Sequence, residues 1–363
     1  MARALNMSRP TYIAIEGGQR SLSALELAKI AELLNVSVRE LANLESVDAF
    51  SALRFRGLRG SDKGQPAVDE LEAFGRRYAT LERLAGVRVT RREPPVFPLE
   101  GVVNVERAAD ELAATERLRL GLGDGPLPDL RGLLEEDAGL RIFGLTNLGT
   151  TRIAGVFAYS SDFGPLVGFN AAHDPRRVRW TLCHEYAHFL SERYEAEVTI
   201  DDGGRRNRRE QFADAFAARF LMPSTGISRR FSELLNDAGG KMTVAHLVML
   251  AQFFDVSFEA VTRRLEEIGR VGAGTFEMLR GRGFQARKAE QAMGFENRAP
   301  ADRLPFRYTY LVATLYGRGE ISEGDVMDML RTDRLSAREL LQAIEDPAGT
   351  DAPGFDTPIE VTA

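Results

Sequence analysis

Apolar residues recur at helical spacing along most of the chain, and only one short region has the alternating runs that are typical of strands. Spacings of three and four predict amphipathic helices after Pro66 and over 104–120. Two β-rich runs within 153–170 flank the segment Ser-Ser-Asp-Phe-Gly-Pro and predict a β-hairpin. From Pro223 to about residue 345 the pattern is helical again. The sequence therefore predicts an α+β fold that is mainly α with a small β-sheet.

The first fifty residues predict three short helices, because capping and turn residues interrupt the apolar spacing at short intervals. Ser8 and Pro10 are typical of a helix start, since a hydroxyl can cap free N–H groups and proline suits the first turn. Gly17 ends this helix, and a second helix follows Ser23. Three helices of this length predict a small helical module.

Breaks in the apolar pattern divide the chain into five segments. Basic residues followed by Gly, Ser and Asp, without an apolar face, are typical of a linker. A Pro-, Gly- and acid-rich chain end is typical of a disordered tail. The predicted segments are a helical module at 1–50, a linker at 51–66, a domain at 67–268, a helical C-terminal region at 269–345 and a tail at 346–363.

A strong helix start precedes the most informative motif of the sequence. Asp174 suits the N-cap position and Pro175 the first helical position. The helix that they begin carries His-Glu-Tyr-Ala-His at 184–188. Because positions four apart lie on one helix face, the two histidines of this motif can bind one metal ion.

Two imidazoles alone do not make a zinc site, since such a site needs a third protein ligand and keeps one position open. Glu210 on the next predicted helix would complete a set of His184, His188 and Glu210. Asp214, four residues later on the same face, is placed to accept the second N–H group of a liganding imidazole. Glu185 lies beside the histidines, where it can take a proton from a water on the metal.

Several of these assignments have structural alternatives. Asn207 and Glu210 also have the spacing of a capping box, so Glu210 could reach back to its own helix start. Cys183 points about 100° away from the neighbouring histidine, which favours a buried packing role. His246 has no acidic or histidine partner nearby in the sequence, and we expect it to be structural.

The predicted hairpin and the segment that follows it contain weaker candidates for catalytic residues. Tyr159 on the hairpin and His173 just before the helix are each candidates to stabilise an oxyanion. The hairpin edge at 153–170 could also hold a substrate as an added strand, a docking role that substitutions along residues 166–169 would test.

Composition limits how the protein can contact nucleic acid and indicates its cellular compartment. With 47 Lys and Arg against 53 Asp and Glu, the net charge is −6, so nucleic-acid contact must come from a local basic face. A single cysteine cannot form an internal disulfide, which fits a reducing compartment. The sequence contains neither an apolar signal core nor a membrane-length apolar run. We therefore expect a cytoplasmic protein without a membrane partner.

The segments HEYAHFL and EQFADAFAARFLMP, with the lead-in GFNAAHDPRRVRWTLCHE, resemble the ImmA/IrrE family of metallopeptidases. The resemblance covers about 100–265. It implies a gluzincin-like site in which His184, His188 and Glu210 bind Zn²⁺ and Glu185 is the general base. It also implies that the domain cleaves a repressor-type partner protein and so relieves repression of genes.

Residues 1–45, with MSRPTYIAIEGGQRSLSALELAKIAELLNVSVREL, resemble an XRE-type (Cro/repressor-like) helix-turn-helix. The resemblance implies that Arg9, Thr11 and Tyr12 face the major groove of an operator. The first helix and most of the second helix of the family pattern are absent. Either translation starts upstream or the module is incomplete. The alternative is a packing or dimerisation element, in which case the partner is a second copy of the chain.

Three functions are compatible with these motifs. The first is a DNA-binding transcriptional regulator whose zinc endopeptidase domain cleaves a repressor-type partner. The alternative is a DNA-binding regulator whose metallopeptidase-like domain senses a metal or ligand without cutting. A free-standing protease is the third. Replacement of Glu185 separates the first two, because only peptide cleavage needs a general base.

Overall fold

The computed structural model divides the chain into two units, Met1–Arg54 and Phe55–Ala363. In the first unit it describes isolated residues, which are 7, 8, 10, 11, 15, 20, 23, 26 and 28–30. In the second unit it describes 65–87, 93–148, 153–160, 163–193, 197–200, 207–295 and 298–345.

Two helix starts are described in the first unit, and both lie where the sequence predicts them. Ser8 Oγ accepts a hydrogen bond from the backbone N–H of Thr11 at 3.2 Å, and Pro10 and Thr11 are helical. Ser23 Oγ accepts from the backbone N–H of Glu26 at 3.3 Å, while the Glu26 carboxylate accepts from the N–H of Ser23 at 3.0 Å. The second pair is a reciprocal capping box, which satisfies two of the N–H groups that a helix start leaves free.

The second unit is mainly helical and contains one small sheet. The predicted fold class is therefore confirmed, and the helices predicted after Pro66 and over 104–120 are α1 and α2. Its described elements are α1 (Gln65–Leu84), α2 (Val105–Arg119), α3 (Leu130–Gly132) with a π-helical turn (Leu133–Asp137), β1 (Arg141–Leu145), β2 (Ile153–Ser160), β3 (Gly164–Asn170), α4 (Pro175–Glu192), β4 (Glu197–Ile200), α5 (Arg208–Leu221), α6 (Ser224–Asp237), α7 (Val244–Phe254), α8 (Phe258–Glu267), α9 (Thr275–Gly281), α10 (Ala286–Ala292), α11 (Phe306–Gly317), α12 (Glu323–Leu330) and α13 (Arg334–Glu345).

The four strands lie in the order β1-β3-β2-β4. β2 and β3 form the predicted antiparallel hairpin, with Ser160 opposite Gly164. The prediction that residues 166–169 offer an edge to an added strand is wrong. They pair in parallel with 141–144 on one side and antiparallel with 155–158 on the other. Because β4 pairs with β2, both strands of the hairpin have a neighbour on each side within the described sheet.

The front face of the sheet packs against α4, and α5 and α2 pack behind that helix. From β3 the sheet contributes Val167 and Phe169, two positions apart on one face, as the twofold period of a strand requires. Aromatic side chains join α4 to α5, since the ring of Tyr186 lies 5.9 Å from Phe216 and 5.8 Å from Phe220. The buried side chains of this core include Ile142, Phe157, Val167, Phe169, Leu182, Cys183, Tyr186, Phe189, Phe212, Phe216 and Phe220.

The opposite face of the sheet is covered by an aromatic cluster that we call the back-face cluster, made of Phe74, Tyr78, Phe143 and Tyr308. The rings of Phe74 and Phe143 stack with centroids 4.6 Å apart. Tyr308 from α11 packs edge-on at 5.7 Å from Phe143 and 5.4 Å from Tyr78. Large aromatic side chains contribute much of the apolar area that a core buries. The C-terminal helices therefore share a core with α1 and the sheet.

Two ion pairs with buried groups reinforce this face. Arg141 on β1 contacts Glu82 on α1 at 2.6 Å, and both side chains are 7% exposed. Arg331, just after α12, pairs with Glu70 on α1 and stacks over the ring of Phe74. Burial raises the pKa of Glu70, because the charged carboxylate loses hydration, while Arg331 partly compensates.

Among the described residues, no single helix is long and apolar enough to cross a membrane. Helices α7 and α8 meet that criterion only as a pair, and they are bent by 104° at their junction.

Candidate metal centre

Helix α4 carries His184 and His188 on one face because it has a capped start and is continuous over Pro175–Glu192. The side chain of Asp174 accepts a hydrogen bond from the backbone N–H of Arg176 at 3.0 Å, and Pro175 is the first helical residue. Further along the helix, His184 and His188 lie side by side with ring centroids 5.0 Å apart. They are only 3% and 1% exposed. The sequence prediction for this helix start is confirmed.

Helix α5 supplies a carboxylate to the same point. Asn207 Oδ1 accepts a hydrogen bond from the backbone N–H of Glu210 at 2.9 Å and so caps the helix. The carboxylate of Glu210 instead faces the two imidazoles. Only the Asn207 half of the capping box is therefore described, because the cap uses the backbone N–H of Glu210 while its side chain faces His184 and His188.

The three side chains fit a single metal ion. His184 Nε2 lies 3.3 Å from Glu210 Oε2, and His188 Nε2 lies 3.4 Å from Glu210 Oε1. All three ligand atoms lie within 4.8 Å of one another. Two ligands that share a tetrahedral zinc ion at about 2.0–2.1 Å are expected to lie about 3.3 Å apart. Both Nε2 atoms are buried without a hydrogen-bond partner, a state that metal coordination would relieve.

Electrostatics within the centre also favour a cation. Burial alone would raise the pKa of Glu210, but the adjacent imidazoles of His184 and His188 hold it well below its usual value. Burial alone would lower the pKa of His188, but the carboxylates of Glu192, Glu210 and Glu185 raise it to about 10. A metal ligand must be deprotonated, so metal binding here replaces a proton on His188 with the ion.

Asp214 fixes the orientation of the first imidazole. His184 Nδ1 lies 3.1 Å from Asp214 Oδ1, and because an ionised carboxylate can only accept, the imidazole donates this hydrogen bond. Trp180 Nε1 donates to the same oxygen at 3.4 Å. With its proton on Nδ1, His184 directs the lone pair of Nε2 towards Glu210, as a metal ligand requires. The structure thus brings Asp214 into contact with the imidazole of His184.

We expect Asp214→Ala to weaken zinc binding by about 10- to 100-fold, the usual effect of removing the hydrogen-bond partner of a metal-binding histidine. The affinity can be measured by competition with a chromophoric chelator. Glu106→Ala is the matched control, because Glu106 and Asp214 line the same cleft of about 720 Å³ but Glu106 is exposed at the start of α2. Equal zinc affinity of the Asp214 variant and wild type would contradict the assigned role.

Glu185 lies beneath the sheet, next to the ligands. Its side chain is completely buried, and it is close enough to His188 for its charge to help raise the pKa of that imidazole. Because Glu185 follows His184 directly, it faces a different direction on α4 and contacts β2. Glu185 therefore lies beside the cluster of His184, His188 and Glu210.

Glu192 is a member of this centre that the sequence analysis missed. Its Oε2 atom lies 3.8 Å from Nδ1 of His188. Its Oε1 atom forms an ion pair with Nε of Arg209 at 2.7 Å. The signal was present in the sequence, since 184, 188 and 192 follow one another at intervals of four. Arg209 lies in the first turn of α5, at the end of an arginine-rich stretch that begins outside the described residues.

Tyr159 lies near the end of β2, and His173 lies just before the start of α4. The hydroxyl of Tyr159 donates to the carboxylate of Glu93 at 3.0 Å, and Glu93 also pairs with Arg193 after the end of α4. Tyr159 is four residues along β2 from the strand position that contacts Glu185, a separation of about 13 Å. His173 precedes α4. At 1.5 Å per residue, the first residue of α4 lies about 14 Å along the helix axis from His184. Both oxyanion assignments stay predictions.

Two other candidates occupy structural positions, as expected. Cys183 is fully buried, and burial raises the pKa of its thiol to about 12. His246 Nδ1 accepts a hydrogen bond from the backbone N–H of Thr243 at 3.0 Å and completes a capping box at the start of α7. Neither residue lies in the cluster of metal ligands.

Of the three residues implied in DNA contact, only Thr11 is described. Its hydroxyl and Ser8 Oγ are 2.7 Å apart at the helix start. Arg9 and Tyr12 lie outside the described residues.

Two segments of the chain match known families. Residues 136–266 match the peptidase family described as IrrE N-terminal-like domain, and residues 1–41 match the family described as Helix-turn-helix. The predicted combination of an XRE-type helix-turn-helix with an ImmA/IrrE domain is confirmed. The first match implies a peptidase-like fold and the second implies DNA binding. No curated protein matches the chain significantly.

Proposed function

We propose that this chain, in which an IrrE N-terminal-like domain follows a helix-turn-helix, is a DNA-binding transcriptional regulator with a zinc-dependent endopeptidase activity. Its substrate would be a repressor-type partner protein. The observation that supports the proposal most directly is the approach of His184, His188 and Glu210 to one point, with Glu185 buried beside them. Each residue of the set matches the role that peptide hydrolysis at a metal requires.

The chemistry follows from these positions. A zinc ion held by the three ligands would supply a Lewis acid and an activated water. Glu185 then takes a proton from the attacking water and delivers it to the leaving amine. Asp214 holds His184 in the tautomer that can bind the ion, and the buried front face of the sheet lowers the polarity around Glu185. The products are a new carboxylate and a new amino terminus.

The new amino termini are the quantity to measure. We expect cells that express the chain to contain protein N-termini that are absent from cells without it, in a small number of proteins that include a DNA-binding repressor. Mass spectrometry of labelled N-termini detects them across all cellular proteins, so the substrate need not be chosen beforehand. An unchanged set of N-termini under every growth condition examined would contradict the endopeptidase activity.

DNA binding is tested separately with the full chain. We expect selection from a random duplex library to enrich one motif, and Arg9→Ala to weaken binding to that motif by about tenfold or more. The reason is that a recognition helix reads base edges with residues near its N-terminus. Fluorescence anisotropy measures the DNA affinity. Comparing two salt concentrations separates the part of this affinity that comes from phosphate contacts from the part that comes from base contacts. Lys29→Ala, on the following helix, is the control. Absence of an enriched motif would favour the packing or dimerisation alternative.

Burial of the centre favours a second candidate, a metal or ligand sensor that cuts no peptide bond. His184, Glu185 and His188 are at most 3% exposed, so an ion bound there would exchange slowly with solvent. In that case occupancy of the site would set the DNA affinity of the chain. The sensor needs the three ligands but has no need of a proton acceptor at Glu185, and this difference allows the two candidates to be separated.

A further inference from the structure

Gly155 on β2 lies directly against the carboxylate of Glu185. A Cβ atom at position 155 would lie 2.2 Å from Oε1 of Glu185 and 3.0 Å from its Cδ. It would also lie 2.6 Å from Cγ2 of Thr181, one turn earlier on α4. Contacts shorter than 3.0 Å are far below van der Waals separation. The space that any larger residue would need at this position is therefore filled by the carboxylate of Glu185.

The backbone of β2 is irregular at the same place. In its pairing with β4, Ile153 is opposite Ile200 and Gly155 is opposite Thr199, so Ala154 is an extra residue. An extra residue in one strand is a β-bulge, which turns the strand locally and is frequent beside active sites. Glycine within a strand commonly marks a close approach by another group. Both features occur where β2 crosses over the carboxylate.

We propose that Gly155 is a positioning residue for the general base, and that its missing side chain sets the depth at which the Glu185 carboxylate lies between α4 and β2. The inference rests on the proposed endopeptidase function. Glu185 is fully buried, so contacts with the sheet and helix rather than solvent determine where its oxygens lie. A group at position 155 would push the carboxylate away from β2 and alter its distance from the bound ion.

We expect Gly155→Ala to retain one equivalent of zinc. The N-termini that the wild type produces and the Glu185→Gln variant does not, here called Glu185-dependent N-termini, should decrease by about 100-fold. Displacement of a catalytic group by about 1 Å is enough for a loss of this size. We expect the ligands to be retained because they lie on α4 and α5, and the three atoms nearest to a Cβ at position 155 belong to Glu185 and Thr181. Zinc content is measured by mass spectrometry, and the N-termini are quantified as for the wild type.

The second readout does not depend on activity. Cobalt(II) in place of zinc gives a visible spectrum that responds to groups beside the ion. We expect Gly155→Ala to change this spectrum at fixed pH in the same direction as Glu185→Gln does. Gly168→Ala is the matched control, since its Cβ would lie 2.6 Å from Cδ1 of Leu145, in the same sheet but away from the metal centre. Its spectrum is expected to coincide with that of the wild type.

Two second-site variants show which contact matters. Glu185→Asp shortens the side chain by one methylene and so makes room for a Cβ at position 155. Adding Gly155→Ala to this variant should lower the yield of new N-termini by less than about threefold, because substitutions of residues in contact are not additive. Thr181→Ala relieves the other close contact and should leave the loss caused by Gly155→Ala unchanged. Recovery with Thr181→Ala instead would overturn the proposal, because displacement of the helix would then explain the loss.

The outcome remains decisive if Gly155→Ala alone does not fold. Combination with Glu185→Ala removes the carboxylate, and recovery of folded, metal-binding protein would support contact between the two residues. Continued misfolding would refute it. Should the wild type produce no Glu185-dependent N-termini, the endopeptidase proposal fails, while the cobalt spectra and this recovery experiment still test whether Gly155 positions Glu185.

Discussion

Glu185→Gln is expected to abolish protein cleavage and to leave the metal centre occupied. Glutamine has nearly the same size as glutamate but cannot accept a proton, so it removes the general base without creating a cavity. General acid–base catalysis contributes about 10²- to 10⁴-fold to a rate, and we expect a loss near the upper end because Glu185 both accepts and returns the proton. The measurement is the disappearance of the N-termini that depend on the wild-type chain.

Zinc content and DNA affinity are the controls for this variant. Both should match the wild type, because Glu185 is not one of the three residues whose atoms converge on the ion. Normal gene regulation by the Glu185→Gln chain, together with unchanged N-termini, would contradict the endopeptidase and favour the sensor. Loss of zinc from this variant would show instead that Glu185 belongs to the ligand set.

Glu210→Ala is expected to lower zinc affinity by about 10³-fold or more. The reason is that removal of a ligand should cost more than the 10- to 100-fold that follows loss of a ligand's hydrogen-bond partner. It also leaves His184 and His188 without the carboxylate that their Nε2 atoms face. Binding of zinc at 100 times its Kd stabilises a protein by about 2.7 kcal/mol. Zinc should therefore raise the Tm of wild type by about 5 °C and leave that of the variant unchanged.

The helix that carries Glu210 should survive this substitution. Its cap is formed by Asn207 and the backbone N–H of residue 210, neither of which is lost with the side chain. Glu233→Ala, which removes an exposed carboxylate from α6, is the control and should bind zinc like the wild type. Full zinc content in the Glu210→Ala chain would mean that another group completes the site, and the assigned ligand set would then be wrong.

The convergence of His184, His188 and Glu210 could be anticipated from sequence because much of it depends on local geometry. A helix start at Asp174 and a spacing of four place His184 and His188 on one face without reference to the remainder of the fold. Glu210 needed one further step, the assumption that consecutive helices pack together. That assumption was correct here because aromatic residues at helical spacing on α4 and α5 meet in one core.

The sheet could not be predicted to the same extent, because its order depends on contacts between distant segments. The apolar pattern indicated the hairpin, but nothing local to it indicated that β1 would pair in parallel with β3. The short strand β4 likewise lies just before the glycine- and arginine-rich loop and lacks a distinctive pattern. Without these neighbours the hairpin looked as if it had a free edge, and the expected docking of a substrate on residues 166–169 was wrong for this reason.

Gly155 illustrates a further limit of sequence analysis. A glycine in a β-rich run indicates only that the strand has a bulge or a close neighbour. The neighbour proves to be Glu185, thirty residues later, and only the packing of α4 on the sheet brings the two together. Tyr159 shows the converse case, because its position on the same strand suggested proximity to the centre, whereas its hydroxyl binds Glu93.

The back-face cluster has a consequence for work with fragments of this protein. Tyr308 covers the rings of Phe143 and Tyr78 from a helix that begins almost forty residues after the end of α8. A recombinant piece that stops at residue 268 would keep all three candidate metal ligands and yet leave these rings open to water. Exposed aromatic surface of this kind promotes aggregation. Expression trials should therefore extend at least to Glu345, where the last described helix ends.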